Sequence, residues 1–302
     1  MNIALATFFN EEHGMGHLSR LRILLDELHE PNFKKKLYIQ YHDNQCLEIA
    51  KRYFNNHAED IVFFNNSELV DLSELDALII DSIQKPDLLL NKRENIKLIS
   101  LSPLYEDNNN VDFVISRGKT NVDNNRVNQI IGSEYSVFNN LPIKNDIDDY
   151  RLILHIGGGK YREKILLEII SIFIEKRVLP NYQIIYFGAK LFKELNVINK
   201  QFSKFTFSIN DIIISSGGLS FSEAANSGIK NINFFINEEH MNVRDASLEA
   251  YKNVWNVGTL DQFKKINKSN ILNNIQNIHV QKYNKCKGAN EIVQKIEEIL
   301  NE

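Results

Sequence analysis

Cysteine is scarce in this chain of 302 residues: Cys46 and Cys286 stand far apart, with no CxxC spacing. That argues against a disulfide framework or a structural zinc site and makes a reducing cytoplasm the simplest setting. Excess positive charge is missing too. The net charge is -4 and the longest basic tract is KKK at 34–36, so no field favours nucleic acid as a partner. Long apolar runs are absent, and no stretch approaches the roughly 20 residues that span a bilayer. No basic segment precedes the short apolar run at the N-terminus, which argues against a secretion signal. His, Cys, Asp and Glu nowhere gather at metal-ligand spacing, so no obligatory metal and no other cofactor is expected.

What is present is the balance of a globular chain, 43% hydrophobic and 25% charged, with a length that suits two domains of about 150 residues. Short apolar runs alternate with amphipathic stretches, as βαβ units and parallel sheets require. In the first half, strands are predicted at 3–9, 36–42, 61–64, 77–81, 97–102 and 113–116. A helix after the first strand carries Leu18, Leu21, Leu24, Leu25 and Leu28 at helical spacing, and a second covers 44–55. The second half repeats the plan, with strands at 152–156, 182–188, 204–208, 211–216 and 231–236 and helices over 161–177, 219–227, 242–252 and 288–300. A polar, aperiodic segment, 140–150, separates the halves. The expected fold is α/β: two Rossmann-like, doubly wound domains, residues 1–145 and 146–302, facing a cleft lined by the loops that follow the strands.

Those loops hold the chemistry. GMGHLSR, residues 14–20, follows the strand IALATFF. Gly14 and Gly16 allow a tight turn, His17 lands at the strand's carboxyl end, and Arg20 comes one helical turn later. N–H groups at a helix start suit an anion. The plain alternative is a helix-starting turn with an inert histidine, and His13, ahead of the turn, is the weaker candidate. The third glycine of the dinucleotide fingerprint is missing. In SGGLSFSE, 216–223, residues Ser216, Gly217 and Gly218 turn a strand into a helix, and Ser220 to Glu223 has the spacing of a capping box. Glu223 either caps its own helix or offers a carboxylate that accepts two hydrogen bonds from a vicinal diol. HIGGGK, 155–160, places Gly158 between two other glycines, which serve the turn alone or a ligand; its spacing and Tyr161 exclude a Walker A loop. Asp81 ends the strand LIID. Asn242 opens a predicted helix beside His240 and Arg244, which could meet a phosphate or solvent alike.

In order along the chain, these motifs resemble the glycosyltransferase B superfamily. GMGHLSR is similar to the GxGHxxR signature of the bacterial UDP-sugar hydrolases of pseudaminic acid biosynthesis and their spore-coat polysaccharide relatives. The resemblance implies His17 as general base and a substrate site drawn from Gly14, Gly16, Arg20, Asp81, Gly158, Ser216, Gly217, Gly218, Ser220, Glu223 and Asn242. Loop amides near Gly217 would hold the diphosphate of a UDP-sugar and Glu223 its ribose. Two positions depart from the family pattern: Ile83 replaces a tyrosine near the sugar, and Val243 replaces a glutamine after Asn242. The expected function is that of a UDP-sugar hydrolase, similar to those acting on UDP-linked diacetamido-trideoxy sugars, with a UDP-sugar as the small-molecule partner. The alternatives are an inverting glycosyltransferase in surface polysaccharide synthesis, which could associate peripherally with a membrane, and a non-catalytic nucleotide-sugar-binding protein. As a base, His17 would set a rate that rises through the ordinary histidine pKa.

Overall fold

The computed structural model describes residues 1–10, 15–28, 33–55, 60–65, 70–87, 95–102, 105–118, 122, 127–144, 150–157, 162–187, 197–238, 241, 251–281 and 287–302. They form two compact units, Met1–Phe138 with Lys287–Glu302, and Asn139–Cys286.

The first unit is built on a parallel sheet of β1 (Asn2–Phe9), β2 (Lys34–Tyr41), β3 (Ile61–Phe64), β4 (Ala77–Ile80), β5 (Lys97–Ser100), β6 (Phe113–Ser116) and β7 (Asn128–Ile131), in the order β3-β2-β1-β4-β5-β6-β7. Its central strands are buried on both faces, so alternate residues feed two cores. Ile3 and Leu5 join one cluster, while Ala4 and Ala6 join another on the opposite face. Helix α1 (Gly16–Glu27) delivers the leucine stripe, with Leu18, Leu21, Leu24 and Leu25 all buried. Helix α2 (Asn44–Tyr53) starts at Asp43, whose carboxylate accepts the Cys46 N–H at 2.8 Å.

The second unit has a parallel sheet of β9 (Arg151–His155), β10 (Gln183–Phe187), β11 (Val197–Lys200), β13 (Ile212–Ser216), β14 (Lys230–Phe235) and β15 (Val254–Thr259), in the order β11-β10-β9-β13-β14-β15. A short pair, β8 (Ile143–Lys144) with β12 (Phe207–Ser208), stands apart. Helix α3 (Arg162–Glu175) buries Ile165, Leu166, Ile169, Ile170 and Phe173 against Leu152, Leu154, Ile212 and Ile214. The same core takes Phe263 of α5 (Leu260–Lys265) and Ile271 and Ile275 of α6 (Lys268–Asn277). Helix α4 (Leu219–Ser227) covers the other face with Ala224.

The closing helix, α7 (Gly288–Asn301), was expected in the second domain and belongs to the first unit. Its Ala289, Ile292, Val293, Ile296 and Ile299 share one core with Leu18, Leu21 and Leu25. Gly288 lets it approach, since a Cβ there would lie 1.9 Å from the Ser136 carbonyl oxygen. The change of unit at Phe138–Asn139 falls just ahead of the segment 140–150. The helix predicted over 242–252 falls outside the described residues up to 250, and Tyr251 and Lys252 are not helical.

Candidate active site

In the first unit, polar side chains are buried at the carboxyl ends of the strands: Thr7, Gln40, Asp81, Ser82, Ser100 and Ser116 are each at most 1% exposed. The large majority of buried polar groups are partnered, and several here tie loops to strand ends. Ser82 Oγ accepts the Phe8 N–H at 3.2 Å, and Gln40 exchanges two hydrogen bonds with Asp87, at 2.8 and 2.7 Å.

Asp81 sits one residue beyond β4, with its own N–H donated to the Ala6 carbonyl at 3.0 Å. Helix α1 begins at Gly16, so His17 and Arg20 lie one turn apart and share a face. Both reach Asp81. His17 Nδ1 lies 2.7 Å from Oδ1, while Arg20 donates Nε–H to Oδ2 and Nη2–H to Oδ1, each at 2.7 Å. Asp81 is fully buried, and the His17 and Arg20 side chains are 12% and 13% exposed. Burial by itself would raise the Asp81 pKa, but Arg20 and then His17 override it and hold the carboxyl well below the usual range. The pKa of His17 is lowered, first by burial and then by Arg20 and Arg117, against the pull of Asp81. A neutral imidazole that donates Nδ1–H to a carboxylate keeps the lone pair of Nε2 for a proton. A histidine paired in this way with a buried carboxylate can act as a general base that the acid orients. Asp81 and Arg20, expected against substrate, bond to each other in the structure, and both approach His17.

In the second unit the elements after β9 and β13 converge. Gly157, following β9, donates its N–H to Ser216 Oγ at 3.4 Å. Gly217 donates its N–H to the Phe234 carbonyl at 3.0 Å, and a Cβ on it would meet Phe235 at 2.9 Å. Gly218 caps α4 with φ of 103°, in the region that favours glycine, with open space where a Cβ would stand. The capping box does not form: Gly218 is the N-cap, Ser220 Oγ donates to the Ser216 carbonyl at 2.9 Å, and Glu223 turns elsewhere. Its Oε2 lies 2.6 Å from His155 Nε2, and both residues are buried. The His155 ring stacks on Phe202 at 4.8 Å between centroids, with 4° between planes. His155, Ser215 and Asn233 stand in register across three adjacent strands, a polar row at the sheet's carboxyl side.

His155 is the residue that sequence reasoning missed. Its signal was a polar residue ending the apolar strand LILH. Among the expected residues, the structure brings His17, Arg20 and Asp81 together, with Gly16 opening their helix, and groups Ser216, Gly217, Gly218, Ser220 and Glu223 in one strand–turn–helix element. Gly14, Gly158 and Asn242 lie outside the described residues, as do His13, His240, Val243 and Arg244. Among the described residues, no group of three His, Cys, Asp or Glu is placed to hold a metal ion, and no helix is long and apolar enough to cross a membrane.

No family model matches the sequence, and no curated protein sequence matches it. Solved structures do match over nearly the whole chain. A UDP-GlcNAc 2-epimerase from Methanocaldococcus jannaschii is 12% identical with a TM-score of 0.57, covering 99% of this chain and 100% of its own. MurG from Acinetobacter baumannii is 10% identical with a TM-score of 0.59, covering 98% and 99%. A UDP-glucosyltransferase from Polygonum tinctorium is 10% identical with a TM-score of 0.51, covering 100% and 98%. The chain therefore has the glycosyltransferase B fold, with two Rossmann-like domains. Identities this low speak for the fold alone; the activity has to be argued from the site.

Proposed function

We propose that the protein transfers a sugar from a UDP-sugar, with inversion, to a hydroxyl acceptor, with His17 as general base. The observation that carries this is the His17–Asp81 pair, a buried carboxylate 2.7 Å from Nδ1 on a ring whose pKa burial lowers. The acceptor O–H gives its proton to Nε2 while its oxygen bonds to the anomeric carbon. The bond from that carbon to the diphosphate oxygen breaks, and its electron pair leaves with UDP. Asp81 stabilises the imidazolium so formed. UDP belongs to the C-terminal unit, where N–H groups at the start of α4 stabilise the leaving diphosphate and Glu223 takes the ribose hydroxyls. A UDP-glucosyltransferase and a UDP-GlcNAc 2-epimerase of the same fold support a UDP-sugar as donor. With water as acceptor the same step is hydrolysis, and the likeness of GMGHLSR to the UDP-sugar hydrolases supports that as the second reading.

The test follows UDP release from a panel of UDP-sugars, with and without acceptor hydroxyl compounds. Transfer gives release that requires an acceptor; hydrolysis gives release from donor alone, with solvent ¹⁸O in the free sugar. His17→Ala should lower either rate by about 10²- to 10⁴-fold and leave UDP affinity nearly unchanged. Glu223→Ala should weaken UDP binding by about 1.5–3 kcal/mol in calorimetry. A wild-type protein that binds UDP but turns over no donor would be a binding protein, and the enzymatic reading would end there.

A further inference from the structure

Arg20 makes a two-point contact with Asp81. Its Nε–H and Nη2–H fork onto Oδ2 and Oδ1 of Asp81, both at 2.7 Å, and Oδ1 also takes His17 Nδ1 at 2.7 Å. Arg20 Nη2 also lies 2.9 Å from His17 Nδ1, to which it could donate only in the Nε2–H tautomer. Asp81 has no exposed surface from which to turn to another partner. A planar guanidinium on a carboxylate is rigid in a way that a single hydrogen bond is not.

We propose that Arg20 is a positioning residue for His17: its fork fixes the Asp81 carboxylate, so that Oδ1 takes the Nδ1–H and Nε2 is left as the proton acceptor. The charge works in the same direction as the geometry. Among the described residues, the charged groups acting on His17 are Asp81 beyond β4, Arg20 on its own helix and Arg117 after β6. Among these described residues Asp81 is the one that favours a second proton on the ring, and Arg20 offsets it from the same oxygen. An aspartate without that partner would hold the imidazole as imidazolium further up the pH scale and take the base out of use. In functional meaning this rests on His17 being the base, but the ring's tautomer and titration are properties of the protein itself.

The experiment uses full-length protein labelled with ¹⁵N-histidine. Two-bond proton–nitrogen spectra are recorded from pH 4.5 to 8, and His17 is assigned by its loss in His17→Asn. Wild type should show the Nδ1–H tautomer and a midpoint below that of ordinary histidine. Arg20→Gln removes charge and fork, and should raise the midpoint by about one pH unit or more. Arg20→Lys keeps charge without the fork, and should keep the low midpoint while the single tautomer gives way to a mixture. A wild-type ring protonated at Nε2 overturns the proposal. So does an Arg20→Gln protein, folded by circular dichroism, with tautomer and midpoint unchanged. If Arg20→Gln does not fold, an unaltered tautomer in Arg20→Lys overturns it. No UDP release from any donor would defeat the proposed function and leave these ring measurements standing.

Discussion

At the scale of the residue, the His17 site has a signature in acid. The fold lowers the proton affinity of both His17 and Asp81. The unfolded chain therefore takes up more protons than the folded one as pH falls, and stability falls with it. His17 starts to contribute below about pH 6.5 and Asp81 below about pH 4, their unfolded values. Urea unfolding at pH 7.5 and pH 5 should show wild type losing more stability than His17→Asn, by about 1.4 kcal/mol for each unit by which the folded pKa of His17 lies below the unfolded one, up to about 2 kcal/mol at pH 5. Equal losses would mean that the ring titrates normally. The sequence placed a rate rise at the ordinary histidine pKa; under the proposed function the buried, Arg-flanked ring should move that acid limb lower. Position and residue type made His17 legible as a candidate. Its partnership with Asp81, 64 positions away, was not, because it depends on β4 lying beside β1.

At the scale of the element, the strand–turn–helix from β13 to α4 shows how glycine shapes the second unit's site. Gly218 at φ of 103° and ψ of -148° occupies a region nearly closed to other residues. Gly218→Ala should cost about 1–3 kcal/mol in denaturant unfolding by strain alone, because nothing lies within 4 Å of the new Cβ. A cost under about 0.5 kcal/mol would mean that the turn relaxes. The glycines and the helix after them were legible, whereas the capping box was a false match. Its spacing was right, but the N-cap falls on Gly218, so Ser220 sits inside the helix. Four strands also escaped the sequence pattern: β7, β11 and β15 of the two large sheets, and the two-residue β8. All are sheet edges, and an edge strand, packed on fewer sides, needs no continuous apolar run. Gln129, Asn199 and Asn256 interrupt the first three.

At the scale of the whole molecule, the chain's last helix completes its first unit. Ile296 is 1% exposed in a core shared with Leu18 and Leu21. Ile296→Ala should destabilise that unit by about 2–5 kcal/mol. Cys46 is a buried cysteine in the first unit, and Trp255, the single tryptophan, lies in the second. Peptide-resolved labelling of Cys46 should therefore move to lower denaturant, with a smaller change in the tryptophan fluorescence transition. If the two probes shift by the same amount, the helix is not serving the first unit alone.

The amino-acid sequence by itself determined the α/β class, the two repeats of strand, glycine turn and helix, the central strands and the leucine face of α1. These follow from periodicity and turn chemistry, which act between residues close in the chain. Tertiary structure alone decided that α7 returns to the first core, that Glu223 meets His155 instead of its own helix end, and that Arg20, Asp81 and His17 form one cluster. Each of these depends on strand order, which brings distant carboxyl ends side by side. Desolvation there changes what a side chain can do: in water His17 would be an ordinary histidine, and buried between Asp81 and Arg20 it is held neutral.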